Sequence, residues 1–331
     1  MGNAANYIPA LKYGHKIYPQ NIIDGNTPVE GGNVWFVDGD KSGTGGGGRS
    51  WEDAFTEADF DGNLSSLGVT AGDVIYVAAR TNAATDTDPI SYTTNLTVNV
   101  PQVSIIGVSR GRTQGGLPQF KVGSTTTQAI IRVRAPGVLI ANIGINGASA
   151  TGGGIRFDDD GGTTYSSFGG SVVGCHFKNC KGTTATNAAT GGAVQLSGAP
   201  WQIYIGGNRF YKNVGGIVLL DTANAVPQDV VIEGNSFGGE AASTDVDIQG
   251  VGGSGFGTGL TIVGNYFEEL PALGSASTAR WIDLTGADGG IVAGNYFGED
   301  LTHGAAGTGS FIATTVNVSG NYDAGGHATT S

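Results

Sequence analysis

Two aspartates in this 331-residue chain stand in matching contexts: Asp247 in DVDI (245–248) and Asp283 in WIDL (281–284), each between apolar residues at alternate positions. If both segments are strands, the apolar residues face one way and the carboxylates the other. A carboxyl pair about 5 to 9 Å apart is what glycosidic hydrolysis requires, one group donating a proton and the other acting as nucleophile or base. RFDDDGG (156–162) offers Arg156 beside Asp158, Asp159 and Asp160, the residue types of a cation-assisted lyase with a basic side chain. Those acids do not recur one repeat later, where bridging ligands would have to stand, and they read as a solvated turn. Asp38-x-Asp40-x-Ser42 opens like a calcium loop but has Arg49 where the closing glutamate belongs. The glycines at 45–48 precede no Lys-Ser or Lys-Thr pair, so they make no phosphate loop. His15, His176, His303 and His327 fall in no nucleophile or metal signature, and His176, between Cys175 and Phe177, is expected on the surface. No cofactor and no metal is implied, and catalysis rests on Asp247 and Asp283 alone.

The elements that position these residues follow from composition and repetition. Glycine fills 60 positions and proline 10, with no three-residue period, which excludes collagen. Hydrophobic residues make up 39% and charged residues 13%, enough apolar material for a core and too little charge for an acidic disordered polymer. A net charge of −12 repels nucleic acid and anionic lipid. The start, MGNAANYIPALKYGHKIYPQ, lacks a signal-peptide pattern, and no apolar stretch is long enough to span a membrane. Two cysteines, Cys175 and Cys180, make neither a disulfide framework nor a zinc site, and are expected as buried thiols.

IYIGGNRF (203–210), VVIEGNSF (230–237), LTIVGNYF (260–267), GIVAGNYF (290–297) and VNVSGNY (316–322) are copies of one motif. Their asparagines, Asn208, Asn235, Asn265, Asn295 and Asn321, lie 27, 30, 30 and 26 residues apart. Degenerate copies place Cys175, Ile143 and Val108 at the same anchor. Between anchors lies a second short strand: GIRF (154–157), AVQL (193–196), GIVL (216–219), DVDI and WIDL. Such spacing leaves no room for crossover helices, so the chain is an all-β parallel solenoid in which equivalent residues form columns. Ile105, Ile140, Val172, Ile205, Ile232, Ile262, Val292 and Val318 form an inner wall, and Phe177, Phe210, Phe237, Phe267 and Phe297 an inner aromatic file. The asparagines are expected to bond rung to rung at the corner.

Residues 1–32 lack the repeat and read as an arm, and 33–100 as an end cap with a short helix at WEDAFTEADF, capped by Ser50. The solenoid covers 101–323 and a tail 324–331. WFVDGDKSGTGGGGRSWEDAF, GDVIYVA and VSIIGVSRGRTQGGLPQF together resemble the opening of pectate-lyase-like right-handed β-helix proteins of tailed-phage virions. KYGHKIYPQNIIDG (12–25) resembles the amino-terminal segment of such proteins. The resemblance implies a right-handed parallel β-helix and a virion component. Its members include tailspikes that degrade polysaccharide and spike or decoration proteins that do not.

The outward columns next to the inner wall choose between these. They include Leu139, Val173, Tyr204, Val231, Val263 and Ile291, with Glu233 as the one charge. A sheet apolar on both faces is normally covered, and sister chains around a threefold axis would cover it. Tyr7, Ile8, Leu11, Tyr13, Ile17, Tyr18 and Ile22 give the arm an apolar docking surface. Tyr266, Tyr296 and Tyr322 form an outward aromatic column suited to sugar rings or to a subunit rim. The expectation is a homotrimeric capsid decoration or head-spike protein on the virion exterior, assembled in the host cytoplasm and held to phage proteins by the arm. The head is favoured because the chain ends soon after its last rung, at HATTS. The alternative is a tailspike that binds or depolymerises host surface polysaccharide, as a hydrolase or lyase.

Overall fold

The computed structural model describes residues 32–41, 45–80, 91–108, 116–147, 152–180, 191–220, 226–239, 246–251, 258–268, 280–285, 287–298, 311–312, 316–324 and 328–329. Three parallel sheets run through them. The first contains ten strands in chain order, from Val34–Val37 and Val74–Ala78 through Ser104–Val108 to Asn317–Ser319. The second holds eight strands, from Leu96–Val98 to Phe311–Ile312, and the third begins at Ser91–Thr94. Among the described residues only Ala328–Thr329 is antiparallel, folding back on Asn321–Asp323. Each strand pairs with its equivalents one rung below and one rung above, the connectivity of a coiled parallel sheet.

The corner from the first to the third sheet is built from two residue types. The first of each pair has positive φ: Gly174, Gly207, Gly234, Gly264, Gly294 and Gly320 lie at 61° to 64°, and Asn142 takes the same place at 56°. Glycine adopts that left-handed conformation without a Cβ penalty, which is why the motif reads Gly-Asn. The asparagine turns inward and forms a ladder. Asn235 Nδ2 donates to Ile205 O on the rung below (3.0 Å) and to Asn265 Oδ1 on the rung above (3.0 Å), while its backbone N–H donates to Asn265 Oδ1 (2.9 Å). The pattern repeats from Asn208 to Asn321. A buried bend is thereby supplied with the partners its backbone needs.

Beside the ladder, Phe177, Phe210, Phe237, Phe267 and Phe297 stack with centroids 4.9, 4.6, 4.9 and 5.0 Å apart and planes within 12°. The isoleucine and valine wall is fully enclosed behind them. Both thiols occupy ladder slots. Cys175 N–H donates to Asn208 Oδ1 (2.8 Å), and at the far end of the same strand Cys180 N–H donates to Asn213 Oδ1 (2.9 Å). Burial pushes both thiols up to about 12, so they stay protonated and inert.

Three expectations change. WEDAFTEADF is a series of turns, because its backbone is taken up by the neighbouring strand: Phe55 N–H donates to Phe36 O (2.8 Å) and Asp38 N–H to Phe55 O (2.9 Å). Ser50 Oγ still accepts from Asp53 N–H (3.2 Å), capping a turn in place of a helix; the short helix here is the 3-10 turn Leu64–Leu67. Second, the 33–100 region supplies rungs as well as a cap, since Val34–Val37 and Val74–Ala78 are the first two strands of the first sheet. Their junction is held by Asp73, whose carboxylate accepts from Trp35 Nε1 (2.6 Å), Thr70 N–H (2.8 Å) and Asn33 N–H. Third, Val108 is not an anchor: its strand runs straight on, leaving it exposed, and Pro118 lies opposite Ile143 in that slot.

Candidate functional site

The Asp247 and Asp283 pair is not in register. Ile248 pairs with Ile282, so Asp283 lies opposite Gln249, and Asp247 is displaced along the strand from it. The repeat DVDIQG keeps its alternation when slid by two residues, and the core selects Ile248 for the inner column where the sequence pattern equally allowed Val246. Asp283 is further occupied, accepting from Thr285 N–H (3.1 Å) and Thr285 Oγ1 (2.7 Å) and pairing with Arg280 Nε (3.3 Å). A facing acid and base pair is therefore absent at this place.

The outward face of the first sheet follows the expected register. One column runs Leu139, Ser171, Tyr204, Val231, Thr261, Ile291, and its neighbour Ala141, Val173, Gly206, Glu233, Val263, Ala293. Val34, Phe36, Val74 and Tyr76 prolong both columns toward the start without adding a charge. Exposure along the face is uneven. Tyr204 lies flat across Gly206, where any Cβ would meet its ring, and places Oη 3.4 Å from Glu233 Oε2. Tyr204 and Val173 are in consequence only 8% and 5% exposed, whereas Ile291 is 47% exposed. The middle of the face closes on itself and its carboxyl-terminal third stays open.

On the third sheet, Tyr266, Tyr296 and Tyr322 are paired in successive rungs and all are exposed. The first two rings stack at 5.6 Å and 4°. His176, on the outward side of this sheet, is buried, contrary to the expected surface position. Burial, with Arg209 and Lys178 nearby, lowers its pKa to about 4, so it is neutral at physiological pH. Residues 1–31, with Tyr7, Ile8, Leu11, Tyr13, Ile17, Tyr18 and Ile22, and also His303 and His327, lie outside the described residues.

The three aspartates of RFDDDGG do separate jobs. Asp158 is 3% exposed on the outward face of the second sheet and is surrounded by arginines from two rungs. Arg132 Nε (3.2 Å) and Nη2 (2.8 Å) and Arg134 Nε (3.1 Å) donate to its Oδ2, and Arg156 Nε meets Oδ1. Asp159 accepts from Gly161 N–H, Ser166 Oγ and Ser167 N–H, and Asp160 from the N–H groups of Thr163, Thr164 and Tyr165. The hydrogen bond from Thr164 N–H, with those that follow, holds the Asp160 carboxyl well below the usual carboxylate range. The result is an ordered loop, closed by Arg134 lying 4.0 Å over the Tyr165 ring. The loop walls a cleft of about 340 Å³ with Phe168, Trp201, Val226 and Gln228. Trp201 is 43% exposed and meets Phe168 at 5.2 Å. Sequence reasoning missed this cleft and the arginine cluster. The signal for the cluster was Arg132, Arg134 and Arg156 at one-rung spacing; the cleft draws on three loops of unequal length and had none.

No protein-family profile and no curated protein matches the chain. Among solved structures it is similar to the Geobacillus virus E2 ORF18 protein, with 12% identity, 76% of this chain and 53% of that one covered, and a TM-score of 0.42. It is also similar to the pectate lyase Pel9A (12% identity, 90% and 81% covered, TM-score 0.46). A third is the GH136 lacto-N-biosidase from Eubacterium ramulus (10% identity, 88% and 67% covered, TM-score 0.37). The chain thus spans about half the length of the Geobacillus virus protein. With three parallel sheets wound rung upon rung, an inner wall and an asparagine ladder at one corner, the chain is an all-β, right-handed parallel β-helix.

Proposed function

We propose that this chain is a structural component of a tailed-phage virion, a rod that assembles as a homotrimer on the particle exterior. Residues 1–32 dock it to a capsid protein, in a decoration or head-spike role. The observation that carries the reading is the outward face of the first sheet. Over ten strands it bears a single charge, Glu233, in a chain with 16 basic and 28 acidic side chains. Ten rungs at about 4.8 Å make a flat strip roughly 45 Å long. A sister rod with the same rung spacing matches such a strip along its whole length, as rotational symmetry requires. The phage setting rests on the resemblance of segments 12–25, 35–55, 72–78 and 103–120.

Sedimentation equilibrium of the full chain at micromolar concentration is expected to return three times the 33.4 kDa chain mass. Ile291→Lys should shift it toward monomer, and a monomer in the wild type overturns the assembly. A second reading, a tailspike that binds host surface polysaccharide, is favoured by two exposed aromatic features, the Tyr266, Tyr296, Tyr322 stack and the Trp201 cleft. Glycan binding that is lost in Tyr296→Ala or Trp201→Ala would support it over decoration.

A further inference from the structure

We propose that the arginine cluster on the second sheet is an oxyanion site, taking a phosphoryl dianion through Arg132, Arg134 and Arg156. The inference is independent of the trimer, since it concerns a different sheet. Three guanidinium groups share one carboxylate. Asp158 has accepted close to all it can, three donors on Oδ2 and one on Oδ1, and no other carboxylate among the described residues pairs with any of the three arginines. The cluster therefore carries a net charge of +2 on a chain whose total is −12.

The geometry says where an anion goes. Arg134 and Arg156 meet Asp158 through Nε, and Arg132 through Nε and Nη2, which leaves Nη1 of each turned to the far side of its guanidinium. Arg156 Nη2 is engaged by Ser197 Oγ (3.1 Å), while Nη1 of Arg132 and of Arg156 donates to no group among the described residues. The side chains are 19%, 24% and 20% exposed, so these edges are reachable from solvent but held in place by the carboxylate beneath. Guanidinium groups held in this way present donors to a phosphate, Nη1 of Arg132 and of Arg156 first, with Arg134 fixed beside them by Asp158 and Tyr165, and their orientation is set before the ligand arrives. Like charges gathered at a half-buried place repel one another, and a dianion cancels the excess that Asp158 leaves.

The shared chemistry is the phosphoryl group, which free phosphate or a phosphorylated sugar can supply. Calorimetric titration of the full chain at low ionic strength with inorganic phosphate, and separately with glucose 6-phosphate, distinguishes the two. Saturable binding of either is expected. Equal affinity assigns the site to the bare anion, and tighter binding of the sugar phosphate assigns it to a phosphate borne on a glycan. Arg132→Gln and Arg156→Gln should each weaken binding about tenfold or more. Lys121→Gln, an exposed cation on the third sheet, should leave it unchanged. A purely structural cluster predicts loss of thermal stability in the arginine variants with no saturable phosphate binding in the wild type, and that result overturns the proposal. If Arg132→Gln does not fold, ¹⁵Nε resonances of the wild-type arginines report directly. Movement of all three with phosphate supports the site, and stationary resonances refute it.

Discussion

The two corners that flank the first sheet are made on opposite principles. The corner leading to the third sheet turns in two residues, glycine then asparagine, and repeats that solution rung after rung with the amides bonded in file. The corner arriving from the second sheet carries the aspartate loop, the Trp201 segment and the Val226 to Gln228 segment, each of different length, with a cleft between them. One corner places its polar groups inside and saturates them. The other buries Asp159 and Ser167 within a loop and leaves Trp201 exposed beside the cleft. The corner whose sequence repeats is the closed one, and the corner whose sequence diverges holds the cleft.

Four measurements sharpen or break that contrast. Phe237→Ala removes a ring stacked on both sides at the regular corner and should cost about 4 kcal/mol in denaturant unfolding. Asn265→Ala deletes a link in the ladder and strands the backbone N–H and Nδ2 of Asn235 in the interior, for a loss of about 3 kcal/mol. A loss no greater than that of a surface substitution would mean that the ladder merely decorates the bend. His176, one residue past the thiol that replaces an asparagine, has a folded pKa near 4, below its ordinary 6.5. Its contribution is complete above pH 6.5 and is lost as pH falls from 6.5 toward 4. His176→Leu should flatten that part of the stability profile by about 2 kcal/mol, read from melts across the range. At the variable corner, Trp201→Ala should change stability by only about 0.5 kcal/mol. A large drop there would make the cleft part of the scaffold.

What could be read from the sequence follows the same division. The Gly-Asn pair was legible because each half answers a separate demand, a left-handed backbone and an amide with two donors and an acceptor, that few residues meet. The phenylalanine file was legible because nothing but a column explains five aromatics at a constant offset from those asparagines. The pairing of Asp247 with Asp283 was misread because a two-residue slip preserves which side chains face inward, leaving the choice to packing. The helix at 51–60 was misread because a good capping serine says nothing about a neighbouring strand competing for the same backbone. Asp158 lies 26 and 24 residues from Arg132 and Arg134, and only the rung register brings it to them.

The asparagine file also has a direction: each amide oxygen takes hydrogens from the rung before it, and none from the rung after. Tension along the rod loads these links in series, as in a chain, so its strength at this corner is that of its poorest link. Cys175 holds only one of the hydrogen bonds its asparagine successors make to the next rung. Ile143, one rung further down, has no side-chain amide at all, so a pull along the rod finds the weaker links of this corner below Asn208 and leaves the amide-rich segment above it as an intact piece.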